Sequence, residues 1–378
     1  MGEKPLMATQ STCHGQLVVL CVTFFIFSSI RWFIEVESHS LPENHAAFFI
    51  FGDSFLDAGN NNYINTTTLD QANFWPYGQT HFRFPTGRFS DGRLVSDFIA
   101  EFAKLPLISP FLQPGFHQYH YGVNFASAGA GALSETFHGS VIELKAQIRY
   151  FKEEVETWLK RKLGKAEGGL VLSKAVYLFG IGTNDYMSLF LTNSPFLKSH
   201  SISQYVDLVI GNLTTSIKQV YDSGGRKFGF MNLPPMGCSP GLRGERGECL
   251  EELAEYANVH NQRLVKVLGD LEKQLKGFKY SLYDFSSSLR QRVENPLKYG
   301  LKEGKDACCG TGRFRGVFSC GGRRGVKEFE VCRNPNEHVF WDSYHLTENL
   351  HKQLADEMWS GSSNSHSSLR HLFQTVCG

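Results

Sequence analysis

The sequence predicts an α/β protein built on a central parallel sheet, and three observations carry that expectation. Short continuous apolar runs recur at Ala46 to Phe51, Val123 to Ala126, Ala175 to Phe179, Phe228 to Leu233, Tyr280 to Phe285 and His338 to Trp341, the pattern of buried strands. Between them, apolar residues recur three and four apart over Leu94 to Phe102, Val141 to Leu163, Tyr205 to Tyr221 and Leu250 to Leu275, the period of helices that bury one face. Glycine-containing turns directly follow several of the strands, where a sheet with strand–helix–strand crossovers gathers its ligand-binding loops.

Length and composition agree with one large globular domain or two small ones. At 378 residues and 42% hydrophobic content the chain can bury a sizeable core. A net charge of only +1 provides no field to recruit a polyanion, so nucleic acid is not an expected partner. An aromatic content of 13% suits a packed core or an acyl-accepting groove.

Taken in order, the chain opens with Lys4, an apolar run from Leu17 to Phe27, and small or polar residues around Ser38 to Ser40, which reads as a signal peptide over residues 1–38. The run of about 11 residues is short against the roughly 20 that a membrane span needs, so cleavage is favoured over a stable span. The first strand then stops at Gly52-Asp53-Ser54, where a nucleophile would sit. The second leads into Asn124-Phe125-Ala126-Ser127-Ala128-Gly129-Ala130-Gly131, whose backbone can present an unobstructed N–H. Gly129 is the preferred donor and Gly131 the fallback. The third leads into Gly180-Ile181-Gly182-Thr183-Asn184-Asp185, which places the Asn184 amide where it can meet an oxyanion. The last runs into Trp341-Asp342-Ser343-Tyr344-His345, a carboxylate three residues before an imidazole.

These residue types in this pattern point to acyl transfer. A serine hydroxyl is a weak nucleophile at neutral pH and needs a base within hydrogen-bond reach, and that base needs a group to orient it. Ser54, His345 and Asp342 are the candidate catalytic triad, and Ser54 N–H, Gly129 and Asn184 the candidate oxyanion hole. His345 must be neutral to act as base, so activity is expected to fall toward acid. Asp53 and Asp57 read as turn and cap residues that hold Ser54 in place, and Asp185 as a carboxylate holding its loop through backbone N–H groups.

Nine cysteines indicate an oxidising compartment. Cys13 and Cys21 would leave with the signal, so Cys238, Cys249, Cys308, Cys309, Cys320, Cys332 and Cys377 remain, an odd number. Cys238 with Cys249 is the favoured local bridge, and the rest of the connectivity stays open. Zinc at Cys308, Cys309, Cys320 and Cys332 is disfavoured because adjacent cysteines do not readily share one tetrahedral ion, so no metal is expected.

Asn65-Thr66-Thr67 and Asn212-Leu213-Thr214 match the N-glycosylation pattern. Residues 300–335, rich in Gly, Arg and Cys, are expected to form a disulfide-tied loop within the domain. Arg313, Arg315, Arg323, Arg324 and Lys327 read as its solvated basic surface, with a polyanionic wall polymer or a lipid headgroup as the alternative partner. Residues 361–378 read as a polar C-terminal tail, of which the low-complexity stretch Gly361 to Ser368 is expected to be mobile.

Through Gly52-Asp53-Ser54, Asp57 to Asn62, and Pro85-Thr86-Gly87-Arg88-Phe89-Ser90-Asp91-Gly92-Arg93, the chain resembles the plant GDSL esterase/lipase family of the SGNH hydrolase superfamily, over nearly the whole mature chain. The resemblance implies a three-layer α/β/α sandwich of flavodoxin-like topology over residues 39–360, an esterase or lipase reaction on acyl esters, no cofactor, and secretion. It assigns Ser54 as nucleophile, Asp342 and His345 as the base pair, and Gly129 and Asn184 as oxyanion partners. Two residues depart from the family pattern: Phe55 replaces leucine, and Ala128 stands where a glycine is usual, which bears on the choice of oxyanion glycine. An acyltransferase using the same triad, or a non-catalytic defence-related recognition protein working through the arginine-rich loop, are the alternatives to a hydrolase.

Overall fold

The computed structural model describes residue 2 and residues 45–192, 199–361 and 368–374. The expected signal peptide and Cys377 lie outside the described residues.

Five strands form one parallel sheet in the order β2-β1-β3-β4-β5: β1 Phe48–Gly52, β2 Gly122–Asn124, β3 Val176–Gly180, β4 Lys227–Met231 and β5 Lys279–Tyr283. This is the doubly wound order whose direction reverses between β1 and β3, the point at which such sheets bind ligands. Side chains alternate across the sheet. Phe49, Phe51, Tyr177, Phe179, Phe228 and Phe230 enter one core layer, and Phe48, Ile50, Val176 and Leu178 the other. In the first layer Phe51 stacks on Phe125 and Phe179 at 5.1 and 4.9 Å, so many of the phenylalanines fill the core rather than a substrate groove.

Among the described residues the helices are α1 Val95–Phe102, α2 Leu144–Tyr150, α3 Thr157–Leu163, α4 Lys165–Lys174, α5 Thr183–Leu191, α6 Ile202–Asp222, α7 Glu251–Gln274, α8 Phe285–Glu294, α9 Glu348–Ser360 and α10 Leu369–Gln374. A π-helical stretch, Phe151–Glu156, joins α2 to α3, so Val141 to Leu163 is nearly one helical run, as its periodicity predicts. Buried residues of α2, α3, α6 and α7 join the layer of Phe49, and those of α1, α8, α9 and α10 the layer of Phe48, which gives three layers. Among the described residues no helix is long and apolar enough to cross a membrane.

The sixth apolar run does not join the main sheet. His338–Phe340 (β9) instead pairs with Glu303–Ala307 (β6) in a separate two-stranded parallel sheet. Periodicity reports that a strand is buried and leaves its partner undetermined. Within 300–335, Cys309–Gly310 (β7) also pairs with Glu330–Val331 (β8). Disulfides link Cys238 to Cys249, as its spacing favoured, and Cys308 to Cys332 and Cys309 to Cys320. The four cysteines weighed as zinc ligands are thus committed to two disulfides.

Two expectations need correction. The basic residues of the 300–335 loop are not uniformly solvated: Arg313, Arg323 and Lys327 are exposed, whereas Arg324 is only 2% exposed. Nor is the tail polar throughout, since Leu369 and Leu372 of α10 are buried, Leu369 packing over Gly229 of β4 and Phe373 meeting Phe48 at 5.4 Å. The apolar residues Leu369, Leu372 and Phe373 fall on one helical face, which outweighs the polar stretch before them. Asn65 and Asn212 are both exposed, Asn212 within α6.

Candidate active site

Ser54 sits in the tight turn that ends β1. Gly52 is demanded there, because a Cβ would lie 2.6 Å from the Gly180 carbonyl oxygen and 2.9 Å from Leu56. The Gln147 side chain clamps Gly52 in both directions, accepting from its N–H at 3.0 Å and donating to its carbonyl at 2.9 Å. The Asp53 carbonyl accepts from the Leu56 and Asp57 N–H groups and closes the turn, while Oδ1 of Asp53 accepts from Phe55 N–H. With its ends fixed, the turn holds the Ser54 hydroxyl toward the loops at the carboxyl edge of the sheet.

Across from it, His345 Nε2 lies 2.9 Å from Ser54 Oγ, and His345 Nδ1 lies 2.8 and 3.0 Å from the two carboxylate oxygens of Asp342. Nδ1 faces a carboxylate and so carries the proton, which leaves Nε2 to accept from the serine hydroxyl. The backbone N–H groups of Tyr344 and His345 both donate to Asp342 Oδ1 at 2.9 Å. Burial opposes the charge on Asp342, but His345, Arg324 and Tyr77 outweigh it and hold the carboxyl down at about 2. The imidazole is walled by Phe89, Phe55 and Phe318, with ring centroids 4.5, 6.0 and 6.2 Å away.

Tyr77 and Arg324 were invisible as site residues in the sequence. Tyr77, fully buried, donates its hydroxyl to Asp342 Oδ2 at 2.7 Å. Arg324 stacks 3.8 Å from the Phe318 ring and donates to the carbonyls of Cys320 and Gln71, both at 2.8 Å. Neither carries a local motif, since each meets the site from a remote loop. The only signal was the placement of Tyr77 just before the Pro85 to Arg93 block.

The oxyanion candidates are assembled by side chains of the segment after Ser54. Asp57 accepts from the N–H groups of Gly59 and Asn60 through Oδ1, both at 2.7 Å, and from Ala128 N–H at 3.0 Å through Oδ2. Asn61 holds the Ala128 carbonyl at 2.9 Å, and Asn60 the carbonyls of Asn124 and Ala126. Ala128 therefore serves through its backbone. The left-handed conformation falls on Gly129, at φ 82°, where a Cβ would meet Asp70 Oδ1 at 2.7 Å and Val141 at 2.9 Å. Gly131 packs instead against Asp185 and Thr136, away from the cavity, so Gly129 is the glycine beside the serine. Among the described residues, neither Ser54 N–H nor Gly129 N–H has an acceptor. Asn184 at the start of α5 donates one amide proton to the Ala130 carbonyl at 3.0 Å and retains a second.

Asp185, next in sequence, accepts from Ala132 N–H, Leu133 N–H and the Thr136 hydroxyl, and so holds the loop of Gly129, as its position suggested. Burial pushes Asp53 up to about 7, and Asp57 and Asp185 up to about 6, despite the N–H bonds that favour their charge.

These elements enclose a cavity of about 450 Å³ that contains Ser54, His345, Gly129 and Asn184 in its lining. Its walls are mainly apolar, with Phe55, Leu69, Phe137, Met187, Pro234 and Met236 prominent. Such a site excludes water from much of its surface and accepts an apolar chain beside a hydroxyl–imidazole–carboxylate relay. Among the described residues no group of three or more His, Cys, Asp or Glu side chains is arranged to hold a metal ion.

Residues 48–358 match the GDSL-like lipase/acylhydrolase family. GDSL esterase/lipase 5 of Arabidopsis thaliana is 55% identical over 367 residues, which covers 93% of this chain and 94% of that protein. GDSL esterase/lipase 2 of the same organism is 52% identical over 355 residues, covering 91% and 94%. The GDSL lipase of Tanacetum cinerariifolium is 48% identical over 320 residues, covering 84% of each chain. With the predicted parallel-sheet architecture and this match across most of its length, the chain belongs to the GDSL-like lipase/acylhydrolase family and is a carboxylic ester hydrolase.

Proposed function

We propose that the protein is a secreted serine esterase/lipase that cleaves carboxylic acyl esters of lipids or acylated carbohydrates through an acyl-Ser54 intermediate. The observation that carries the reading is the unbroken relay from Ser54 Oγ to His345 Nε2 and from His345 Nδ1 to Asp342, set at an apolar cavity. In the first half-reaction His345 Nε2 takes the Ser54 proton as Oγ attacks the ester carbonyl. Negative charge gathers on the carbonyl oxygen and is met by Ser54 N–H, Gly129 N–H and the free amide proton of Asn184. Collapse expels the alcohol, which receives the proton from His345 and leaves the acyl group on Ser54. Water, deprotonated by the same imidazole, then releases the acid and restores the serine. Throughout, Asp342 stays ionised and orients the ring.

The signal-like N-terminus together with three disulfides supports export to an oxidising compartment, with Asn65 and Asn212 as glycan acceptors. The test is ester turnover by the disulfide-bonded protein and by Ser54→Ala, with a serine-directed phosphonate as label. Turnover and labelling are expected for wild type only, and retention of either in Ser54→Ala would overturn the assignment.

A further inference from the structure

One cavity group is not used by the acyl-transfer steps. Asp70 lines the cavity, and its Oδ1 lies against Gly129, 2.7 Å from where a Cβ would project. Its carboxylate is held through one oxygen. Oδ2 accepts from the hydroxyls of Thr67 and Thr66 at 3.0 and 3.4 Å, and the Asp70 carbonyl accepts from Asn61, the same amide that holds the Ala128 carbonyl. Among the described residues Oδ1 accepts no hydrogen bond and no cation pairs with the carboxylate. Burial pushes the Asp70 carboxyl up, and the Thr67 and Thr66 hydroxyls and the field of Arg324 oppose that rise.

A carboxylate beside the oxyanion donors is a liability for the reaction just described. Charge developing on the ester carbonyl oxygen is repelled by the Asp70 carboxylate, which lies beside Gly129. The repulsion is relieved when a substrate supplies a proton donor to Oδ1, because the positive hydrogen of that donor partly offsets the carboxylate charge. Anionic substrates gain nothing and are disfavoured. A hydroxyl fits better than an ammonium group, since the apolar walls penalise a bare cation and Arg324 already supplies positive field.

Resting on the serine-esterase reading, we propose that Asp70 is a specificity-determining residue whose Oδ1 accepts a hydrogen bond from a free hydroxyl on the alcohol half of the substrate. The enzyme therefore favours neutral esters of polyhydric alcohols, such as glycerol or a sugar, over esters of plain alkanols. The neighbouring hydroxyls of Thr66 and Thr67 suit the same kind of ligand.

The experiment compares kcat/KM for 1-butyrylglycerol and propyl butyrate, which share the acyl chain and the carbon count of the alcohol and differ in two hydroxyls. Wild type is expected to prefer the glycerol ester by about tenfold or more, the scale of a hydrogen bond to a charged group. Asp70→Asn should reduce the preference several-fold, and Asp70→Leu should remove it. No preference in wild type, or an undiminished preference in both variants, overturns the proposal. If Asp70→Leu fails to fold, judged by its thermal transition, Asp70→Asn carries the comparison alone. Ser54→Ala is run beside them on both esters: persistent turnover there counts against the Ser54 reading, whereas loss of turnover with an unchanged Asp70 series counts against Asp70 only.

Discussion

Tyr77 donates its hydroxyl to Asp342 at 2.7 Å across 265 residues of sequence, so that the carboxylate behind the imidazole is held from two sides. The bond comes from a fully buried phenol, one whose own ionisation is pushed up by burial and by the neighbouring carboxylate, so Tyr77 is a donor at every accessible pH. Asp342 is thereby kept as an ionised acceptor that fixes the His345 ring.

Tyr77→Phe removes that donor and keeps the ring. One buried hydrogen bond to a charge contributes about 1.5–3 kcal/mol, so a thermal midpoint lower by several degrees is expected. The Asp342 carboxyl should rise from about 2 toward its ordinary 3.8. The signature of a positioning role is a fall in kcat with KM little changed, measured on one ester over a range of pH.

Arg324 is a buried cation whose two donated bonds tie the disulfide loop to Gln71. Arg324→Lys keeps the charge and loses the planar fork, so it should not rescue what Arg324→Met loses. Both variants are expected to be destabilised by roughly 2–4 kcal/mol and to lose activity at least tenfold, because both the field on Asp342 and the Phe318 wall depend on this side chain. Denaturant unfolding and kcat/KM together check it. A Lys variant with wild-type values would show that charge alone suffices.

Asn184→Ala deletes one candidate oxyanion donor and leaves the relay intact. A loss of about 100- to 1000-fold in kcat is expected, with phosphonate labelling of Ser54 slowed in parallel. Gly129→Ala should be at least as damaging, since it forces a side chain into a left-handed backbone and against Asp70 and Val141. Steady-state rates at saturating ester separate these losses from weaker binding.

The pH dependence of stability has a definite sign. Asp53 at about 7, and Asp57, Asp91 and Asp185 at about 6, lie above their ordinary 3.8, so between these limits the folded chain binds more protons than the unfolded one. Their contribution therefore falls as pH rises through about 6 to 7 and is fully present near pH 4. Asp342, held at about 2, works the other way: its contribution is present above 3.8 and is lost as pH falls toward 2. Thermal midpoints from pH 3 to 8 should peak on the acid side of neutrality. A midpoint that climbs steadily from pH 5 to 8 would contradict the burial of these four carboxylates.

The local sequence by itself determined the strands β1 to β5, the turns that follow β1, β2 and β3, and Ser54, Asn184, Asp342 and His345 as the candidate residues to bring together. Each is legible because it sits at the end of a continuous apolar run or within one short motif, and such signals depend on neighbours a few residues away. Helix α5 escaped because it is short and begins inside the Asn184 motif, and α9 because its apolar residues follow the Asp342–His345 segment without a long periodic stretch. Only the tertiary structure decided that β9 pairs with β6, how Cys308, Cys309, Cys320 and Cys332 connect, and that Gly129 rather than Gly131 lines the cavity with Ser54. It also placed Tyr77, Arg324 and Asp70 around the site. These choices rest on contacts between segments tens to hundreds of residues apart, where burial and hydrogen-bond geometry, rather than any local pattern, select the partner.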